Sequence, residues 1–561
     1  MFYKEIFAKE IVQLYDGKLD YDDVIQRIEI PKHESFGDYA FPCFQLAKFE
    51  KKSPLHIATD LAANLNDSIF EKVEAVGPYV NVFLNKKIVG NEVIQLVLTQ
   101  KSSYGRSEIG KSGAIPIDLS SPNIAKPFSM GHLRSTVIGN SVALLLEKVG
   151  YNPIRINHLG DWGTQFGKLI TAYRKWGNEK KVRDNTIKEL LKLYVLFHEK
   201  AALDPKLEDE GRKAFKELEE GGPKAVELWK WFREESLNEF NRIYELMGIT
   251  FDSTHGEAFY NDKMQRVVDM LEAKKLLVES EGAMVVELGE HHPPCLIKKK
   301  DGASLYATRD LAAAIYRYET YGFTQSLYVV GNEQSLHFTQ LIQVLKKLGF
   351  DWANHMRHIN FGMMLKDGNK MSTRKGKVVL LEEVLNEAIE IAKANILAKN
   401  PDLDNQREVA KQIGVGAVLF HDLKNDRRND IEFSLEDMLR VEGETGPYVQ
   451  YTHARACSIL RKGKNQAEEK AVTLDDEEAW PIITKLRQFP EVIERAASEY
   501  DPSQMAKFVL ELSRAFNKYY GQIRILEENT SKQARLQLVL TVSIVLKEGL
   551  RLLGLQAPEE M

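Results

Sequence analysis

Between residues 114 and 134 the chain reads Ala114-Ile-Pro-Ile-Asp-Leu-Ser-Ser-Pro-Asn-Ile-Ala-Lys-Pro-Phe-Ser-Met-Gly-His-Leu-Arg134. Its first seven residues are a short apolar run, as in a buried strand. From about Gly131 to Val149, apolar residues recur on one side of a helix, and Asn152–His158 again has the composition of a strand. Strand, helix and strand at this spacing predict a βαβ unit of a parallel sheet.

A second unit of the same kind follows farther along the chain. Gln325–Val330 and Ile359–Leu365 are predicted strands, and the helix Ser335–Leu348 lies between them. Ligands of such sheets bind beyond the carboxyl ends of the strands, near the point where the strand order reverses. We therefore expect the segments that follow these strands to face one crevice.

The regions around the two units differ in composition and predict a multidomain chain of 561 residues. We expect a small α+β domain over 1–105, the parallel-sheet domain over 106–377 with a charged helical insertion at about 174–246, a helical connection over 378–440 and an all-α domain over 441–561. The predicted elements outside the sheet are the helix Pro54–Leu65, the strand pair Val73–Val76 and Tyr79–Leu84, and the helices Leu381–Leu397, Ser434–Val441, Pro447–Lys462, Pro502–Ile525 and Ala534–Leu553.

Composition and charge exclude several classes of protein. A hydrophobic content of 43% and a charged content of 28% are ordinary for a globular chain, and no apolar run approaches the roughly 18 residues of a membrane span. A net charge of −5 argues against a protein that coats nucleic acid by bulk electrostatics, although a local basic patch can still bind phosphates. Cys43, Cys295 and Cys457 are far apart and form no CxxC pair, which indicates no zinc site and suits a reducing cytosol.

Two segments carry groups that bind phosphate oxygens. In the first, Gly131 permits close approach of a ligand, His132 offers a ring nitrogen at the start of a helix, and Lys126 adds a mobile cation. The second, Lys370-Met-Ser-Thr-Arg-Lys-Gly376, is basic and also follows a predicted strand. Together they predict a nucleotide site.

The two segments resemble the "HIGH" and "KMSK" signatures of class I aminoacyl-tRNA synthetases. The longer string from Ser121 to Ser135 is similar to arginyl-tRNA synthetases in particular. Four further stretches match hallmarks of that family in the family's order: His158-Leu-Gly-Asp-Trp-Gly-Thr-Gln-Phe-Gly167, Ser304-Leu-Tyr-Ala-Thr-Arg-Asp310, Asn332-Glu-Gln-Ser-Leu-His337 and Gly446-Pro-Tyr-Val-Gln-Tyr-Thr-His-Ala-Arg455. The resemblance thus covers nearly the whole chain.

This resemblance implies a fold and an activity. The fold would be a Rossmann-type catalytic domain with an appended N-terminal tRNA-binding domain and a helical anticodon-binding domain. The activity would be ATP-dependent activation of L-arginine to arginyl-adenylate, with Mg²⁺ in the ATP substrate complex, followed by transfer to tRNA(Arg). Activation would depend on bound tRNA. The protein would be a cytoplasmic monomer with no membrane partner and no zinc or other bound metal.

The resemblance also assigns roles to residues. Those implied for catalysis are Lys126, Ser129, Gly131, His132, Lys370, Ser372 and Lys375, and those for ATP are Ser129, Met130, Gly131, His132, Lys370, Met371 and Ser372. Those implied for arginine are Asp118, Asn123, Glu257, Tyr306, Asp310 and Gln334. Those implied for tRNA are Tyr79, Asn81, Tyr448, Tyr451, His453 and Arg455, with Lys424, Arg427 and Arg428 as further phosphate contacts.

Both signatures depart from the family pattern. Ser129 stands where the first His is usual, and Thr373 stands where the last Lys is usual. Loss of one preorganised donor typically costs about 100- to 1,000-fold in rate, so a replacement is needed. In family members that lack this lysine, a lysine at the position of Lys126 is thought to compensate, and Lys375 is the alternative.

Two other interpretations are open at this point. Another class I synthetase, such as a cysteinyl or glutamyl enzyme, would share both signatures, but a cysteinyl enzyme normally has a zinc site and no suitable Cys/His spacing is present. A catalytically inactive relative that binds arginine or tRNA is the second, and Ser129 and Thr373 are its only support.

Overall fold

The computed structural model describes residues 2–298, 306–370, 379–463 and 473–561. The first part of the chain contains a three-stranded antiparallel sheet in the order β1-β3-β2. The predicted helix and strand pair are confirmed there, with the first strand of the pair starting three residues earlier than expected. The elements are α1 (Phe2–Leu14), α2 (Tyr21–Arg27), β1 (Tyr39–Pro42), α3 (Phe44–Glu50), α4 (Pro54–Asn64), β2 (Phe70–Val76), β3 (Tyr79–Leu84) and α5 (Lys86–Gln100).

The middle part contains the parallel sheet, the helical insertion and a small antiparallel sheet that the sequence analysis missed. The elements up to the insertion are β4 (Ala114–Asp118), α6 (Met130–Lys148), β5 (Asn152–Ile156), α7 (Thr164–Trp176), α8 (Glu179–Asp184), α9 (Thr186–Leu203), α10 (Lys206–Glu219) and α11 (Pro223–Met247). They are followed by α12 (Met264–Ala273), β6 (Leu277–Ser280), β7 (Ala283–Val286), β8 (Cys295–Lys298), α13 (Tyr306–Tyr321), β9 (Ser326–Tyr328), α14 (Ser335–Lys347), β10 (Met356–His358), β11 (Met364–Lys366) and β12 (Asn369–Lys370).

The last part is helical, as predicted. Its elements are α15 (Leu381–Lys399), α16 (Gln406–Leu423), β13 (Ile431–Glu432), α17 (Leu435–Met438), α18 (Gly446–Lys462), α19 (Trp480–Ser498), α20 (Ser503–Gln522) and α21 (Lys532–Leu552). The sequence analysis missed α16 and α19, and the helix expected over Ser434–Val441 is only four residues long. In the described ranges, no helix has both the length and the apolar character that crossing a bilayer requires.

The chain divides into two compact units. One comprises Met1–Gly105, Thr452–Val492 and Glu511–Glu548, and the other comprises Arg106–Tyr451, Ile493–Leu510 and Gly549–Met561. In the first, Tyr104 stacks on Phe489 and its hydroxyl donates to the carbonyl of Leu486 at 2.8 Å. The boundary expected at about residue 105 is therefore anchored just before it, at Tyr104, which is 3% exposed.

The parallel sheet in the second unit has the order β10-β9-β4-β5. The chain runs from β4 through α6 to β5 on one side, and from β9 through α14 to β10 on the other. The order therefore reverses between β4 and β9, which are parallel neighbours. The first predicted βαβ unit is confirmed, and so are the first strand and the helix of the second. The segments after β4 and β9 begin at the same edge.

One predicted strand is wrong. Ile359–Leu365 was expected to complete the second unit, but the sheet strand is β10, and β11 belongs to a separate sheet of order β12-β11-β13. The change occurs at Gly362, whose N–H donates to the carbonyl of Arg427 at 2.9 Å. A Cβ at Gly362 would lie 2.5 Å from the backbone of Asn429, so the chain crosses another backbone here and cannot continue as a sheet strand.

The helical insertion has its own apolar interior. Leu190 and Phe197 on α9, together with Phe232 and Phe240 on α11, are fully buried, while the charged side chains of α10 lie outward. The prediction of a helical insertion is confirmed, and its helices pack on one another through buried faces. Of the three thiols, Cys43 and Cys295 are buried, as expected of small core residues.

A buried ion pair fixes α6 in the second unit. Arg134 and Asp422 are each 1% exposed, and the guanidinium Nε lies 3.2 Å from the carboxylate. The remaining donors of Arg134 bond the carbonyls of Asn429, at 2.9 Å, and Arg427, at 3.3 Å. Because α6 begins with the first signature segment, this pair holds in place the helix whose N-terminus forms the candidate site.

We expect Arg134→Ala or Asp422→Ala to lower the free energy of unfolding of this unit by about 3–5 kcal/mol, because each leaves an uncompensated buried charge. The paired replacement Arg134→Met with Asp422→Leu should lower the free energy of unfolding much less, since no charge remains buried. Urea unfolding followed by circular dichroism measures the effect. A single variant as stable as the parent protein would contradict the prediction.

Candidate functional site

The loop after β4 has an unusual backbone. Ser120, Ser121 and Ala125 all have positive φ, at 69°, 52° and 59°, a region that residues other than glycine rarely occupy. Hydrogen bonds hold it there: Ser120 N–H donates to Ser135 Oγ at 2.9 Å, and Ala125 N–H donates to Ser236 Oγ at 3.0 Å. Such strain persists where the surroundings over-determine the conformation, and it is concentrated at functional sites.

The N-terminus of α6 presents His132 as a neutral donor. The ring Nδ1 accepts the N–H of Ser129 at 3.2 Å, and the ring stacks on Phe128. Burial, reinforced by the charge of Lys126, lowers the pKa of His132 to about 4. Since Nδ1 is an acceptor in a neutral ring, the proton is on Nε2, which is thus a donor at physiological pH.

Gly131 leaves open space beside this histidine. A Cβ built there would meet only Ser129 Oγ, at 3.5 Å, among the described residues. Packing within the protein therefore does not demand glycine at this position. The exposed backbone at the first turn of α6 is available to a ligand that approaches the helix N-terminus.

The chain that leaves the second signature segment pairs with the first. Met130 N–H donates to the carbonyl of Val379 at 3.1 Å, and Leu381 N–H donates to the carbonyl of Phe128 at 3.0 Å. On the other side of that segment, the backbone of Lys370 pairs with Leu365 in the small sheet. The side chain of Lys370 and the residues Met371, Ser372, Thr373, Arg374 and Lys375 lie outside the described residues.

Lys126 lies in the strained loop beside a carboxyl group. Burial lowers the pKa of Lys126, and the charge of Glu257 partly opposes that shift. Burial likewise raises the pKa of Glu257 to about 7, although Arg309, whose Nη1 is 3.5 Å away, opposes it. A lysine and a carboxyl group whose pKa values are both displaced toward neutrality are typical of a site built for a charged ligand.

Asp310 on α13 is hydrogen-bonded to a histidine on α14. Its Oδ2 accepts from His337 Nε2 at 2.7 Å, and its Oδ1 lies 3.8 Å from His158 Nε2. Burial opposes ionisation of Asp310, but the hydrogen bond and charge of His337, together with His158 and Arg317, outweigh it and lower its pKa. The side chain of Asp310 keeps 31% of its surface exposed, so an ionised carboxylate faces the crevice.

The other residues expected to bind arginine surround the same edge of the sheet. Asn123 forms a backbone bridge with Gly160, where a Cβ would lie 2.3 Å from Asn123 Oδ1, so a larger residue there would displace the Asn123 side chain. Gln334 is exposed immediately before α14, and Tyr306 is 64% exposed at the first turn of α13.

Asp118 differs from the expectation. Asp118, at the tip of β4, was expected to bind arginine, but its side chain is buried, at 7% exposure. Its Oδ2 is 2.8 Å from Arg317 Nη2, and its Oδ1 accepts from Ser121 Oγ at 2.7 Å. Both oxygens are engaged within the protein because α13 brings a cation to the strand end, which the local sequence around Asp118 does not reveal.

Known proteins are similar to this chain over its whole length. The family model "tRNA synthetases class I (R), catalytic domain" matches residues 93–435, "Arginyl tRNA synthetase N terminal domain" matches 1–84, and "DALR anticodon binding domain" matches 449–561. The chain is 61% identical to an arginine–tRNA ligase of an Exiguobacterium species and 59% identical to one of Enterococcus faecalis, with 100% of each chain covered.

The chain belongs to the arginyl-tRNA synthetase family. Solved structures agree: the Thermus thermophilus arginyl-tRNA synthetase superposes with a TM-score of 0.81 at 25% identity, with 100% of both chains covered. The Plasmodium falciparum arginyl-tRNA synthetase gives 0.80 at 25% identity, with 100% of this chain and 98% of that one covered. The predicted class I catalytic domain with an N-terminal domain and a helical C-terminal domain is thereby confirmed.

The residues expected to contact tRNA in this synthetase are not equally accessible. Tyr451 is 38% exposed, Tyr448 and Tyr79 are half-buried, and the guanidinium of Arg455 lies over the ring of Tyr520. Asn81 is 3% exposed and His453 is 1% exposed. Both were predicted to contact tRNA, but neither side chain faces solvent. Asn81 lies on the central strand of its sheet, and His453 lies on the inner side of α18 beside Cys457.

The basic cluster of Lys424, Arg427 and Arg428 is also less available than expected. Arg427 donates to the carbonyls of Asn360, at 2.7 Å, and Tyr500, at 3.2 Å, which is a structural role. Lys424 donates to the carbonyl of Glu444, and Arg428 pairs with Asp426. Among the described residues, no group of three or more His, Cys, Asp or Glu side chains is arranged to hold a metal ion.

The sequence analysis missed three residues of this site. His158, His337 and Arg317 each contact a carboxylate that was predicted to bind arginine. His158 and His337 lay inside quoted family stretches, and His337 is one helical turn beyond Gln334, which was the available signal.

Proposed function

We propose that this chain is an arginine–tRNA ligase. It joins the carboxylate of L-arginine to the α-phosphate of Mg·ATP with release of pyrophosphate. It then transfers the arginyl group from the adenylate to the 3′ end of tRNA(Arg) with release of AMP. Full-length similarity to arginine–tRNA ligases supports the activity, and the site geometry supports the roles below.

The observation that supports arginine as the substrate is the ionised carboxylate of Asp310 at the edge of the sheet. A guanidinium group is a planar fork of donors and fits a carboxylate with paired hydrogen bonds. Each charge-assisted bond contributes about 1.5–3 kcal/mol, so two that lysine does not make give discrimination of about 100-fold or more. Tyr306, Gln334, Asn123 and Glu257 complete the arginine site in this proposal. Asp118 then acts through Arg317 and the loop after β4.

ATP binds at the N-terminus of α6. Ser129, Met130, Gly131 and His132 form this site: Gly131 offers exposed backbone and His132 offers its ring donor, while the N–H groups of Ser129 and Met130 are already bonded within the protein. Positive charge comes from Lys126 and from the second segment, Lys370 to Lys375. Preorganised donors of this kind stabilise the charge that develops on the phosphates as pyrophosphate leaves. Because Thr373 offers no charge, Lys126 supplies the missing cation, and Lys375 is the alternative source.

The remaining assignments concern tRNA and setting. The N-terminal domain, 1–105, contacts tRNA through Tyr79 and its surroundings, and the helical domain, 441–561, binds the anticodon through Tyr448, Tyr451 and Arg455. Aromatic and basic side chains suit unpaired bases and phosphates, respectively. Residues 106–377 form the catalytic domain, and residues 378–440 connect it to the helical domain. The enzyme acts as a monomer in a reducing cytosol.

We expect Asp310→Asn to raise the KM for arginine about 100-fold or more, because the amide removes the charge from both hydrogen bonds. Aminoacylation of total tRNA, assayed with each amino acid in turn, measures this effect and tests the function. Asp351→Asn, an exposed aspartate of the same unit, is the matched control and should behave like the parent protein. Charging of another amino acid, or none, would refute the function.

Lys126→Ala should lower the rate of arginine activation at saturating ATP about 100- to 1,000-fold, because it removes one preorganised charge from the phosphate site. Arginine-dependent pyrophosphate exchange measures the rate. Lys230→Ala, which removes an exposed lysine on α11, is the control. A rate within about threefold of the parent protein would instead assign the missing charge to Lys375.

Activation of arginine should require tRNA. We expect pyrophosphate exchange to be undetectable without tRNA and to appear when tRNA(Arg) is added, because the resemblance implies that bound tRNA completes the active site. The comparison uses one enzyme preparation freed of nucleic acid. Exchange at the full rate without tRNA would show that the site is complete in the protein alone.

A further inference from the structure

Two imidazole rings approach the same carboxylate from different elements. His337 on α14 contacts Oδ2 of Asp310 at 2.7 Å, and His158, which follows β5, is 3.8 Å from Oδ1. An ionised carboxylate can only accept hydrogen bonds, so His337 Nε2 carries a proton in either charge state of the ring. Oδ2 is thereby held by the protein, while Oδ1 has no bond of that length among the described contacts.

We propose that His337 is a positioning residue for Asp310, and that the second proton on its ring competes with the guanidinium group of arginine. The inference rests on the proposed function, since it takes Asp310 as the group that binds the substrate's guanidinium. In the neutral form, His337 holds the carboxylate in place by its Nε2–H. In the charged form, it neutralises the carboxylate that the substrate needs.

The sign of the pH dependence follows from the two charges. A guanidinium is charged at every relevant pH, and an imidazolium on the same carboxylate repels it. Burial opposes protonation of His337, but the hydrogen bond and charge of Asp310 outweigh it and raise its pKa. Affinity for arginine is therefore full above that raised pKa and falls as the pH drops through it.

Other charged and titratable groups lie on the elements around the His337–Asp310 pair. The elements packed against α14 are α13, β8, β10 and the short helices 332–334 and 351–355. Their titratable and charged side chains are Tyr306, Arg309, Asp310, Tyr316, Arg317, Tyr318, Glu319 and Tyr321 on α13, Cys295 and Lys298 on β8, Arg357 and His358 on β10, and Glu333, Asp351 and His355 on the short helices. Of these, Asp310 is bonded to His337, and His358 stacks on the neighbouring ring of Phe338.

A second titratable group interacts with the charge of Asp310. The pKa of Glu257 is raised to about 7 by burial, and its charge acts on Asp310's surroundings. Asp310 itself has a lowered pKa and stays ionised there. A loss of arginine affinity below neutral pH therefore has two candidate sources, His337 and Glu257, and substitution separates them.

The experiment measures the KM for arginine between pH 5.5 and 8.5 in aminoacylation at saturating ATP and tRNA(Arg). We compare the wild type with His337→Ala, His337→Gln and the control His355→Gln, which changes an exposed histidine of the same unit. Glutamine keeps an N–H donor but has no titrating proton. The KM for ATP, measured in parallel, reports on a site that is disturbed as a whole.

In the wild type and in His355→Gln, the KM for arginine should rise about tenfold per pH unit below the pKa of His337, as for one competing proton. In His337→Ala it should be higher at pH 8.5 by about 10- to 100-fold, the loss of one charge-assisted hydrogen bond, with the KM for ATP unaffected. His337→Gln should regain much of that loss and show no acid rise.

An acid rise that persists in His337→Gln would assign the proton to Glu257 and overturn the proposal. So would a wild-type KM that is independent of pH, or a His337→Ala variant with the wild-type KM. If the wild-type protein forms no arginyl-tRNA at any pH, the proposed function is overturned, and the inference with it. The two failures are thus distinguishable in the same assay.

Discussion

The buried ion pair between Asp118 and Arg317 is the constraint on which the site depends. Asp118 ends the central strand β4, and Arg317 lies on α13, so the pair joins the two halves of the parallel sheet domain. Arg317 is 1% exposed, and Asp118, with Tyr328 and Tyr260, raises its pKa although burial opposes its charge. Two charges removed from water gain little net stability, so the pair is better understood as fixing position.

That position determines where the substrate carboxylate lies. Asp310 is seven residues before Arg317, which is two turns of the helix, so both lie on the same face of α13. The other oxygen of Asp118 accepts from Ser121, one of the strained residues of the loop that carries Lys126. One ion pair therefore orients both the helix that presents Asp310 and the loop that leads to the nucleotide site.

Sequence reasoning predicted the parts of the site that are local. The pattern of apolar residues predicted the first βαβ unit and the first strand and helix of the second. Short segments indicated Gly131, His132 and Asp310 as site residues. Burial across elements was not predictable in this way. Asp118 was expected to bind arginine, yet it pairs with Arg317, which is 199 residues away in the sequence. Asn81 and His453 were expected to contact tRNA, yet both side chains are buried.

Two other failures have the same origin. The apolar run Ile359–Leu365 has the composition of one strand, but the sheet strand β10 ends before it, at His358. After the backbone crossing at Gly362, only Met364 and Leu365 of the run lie in a strand, β11 of another sheet. The positive φ angles at Ser120, Ser121 and Ala125 have no glycine signal, because side-chain hydrogen bonds stabilise a conformation that local preference disfavours. At about 1–3 kcal/mol per residue, this strain needs the folded surroundings to persist.

Asp310 is the group that recognises the guanidinium of the substrate in this proposal. A crystal structure of the protein with bound L-arginine tests this most directly, through the distance from the guanidinium nitrogens to the Asp310 carboxylate. The account predicts at least one charge-assisted hydrogen bond of about 2.7–2.9 Å, with His337 still on Oδ2. A guanidinium bound to Glu257 or elsewhere, with Asp310 contacted only by His337, would contradict it.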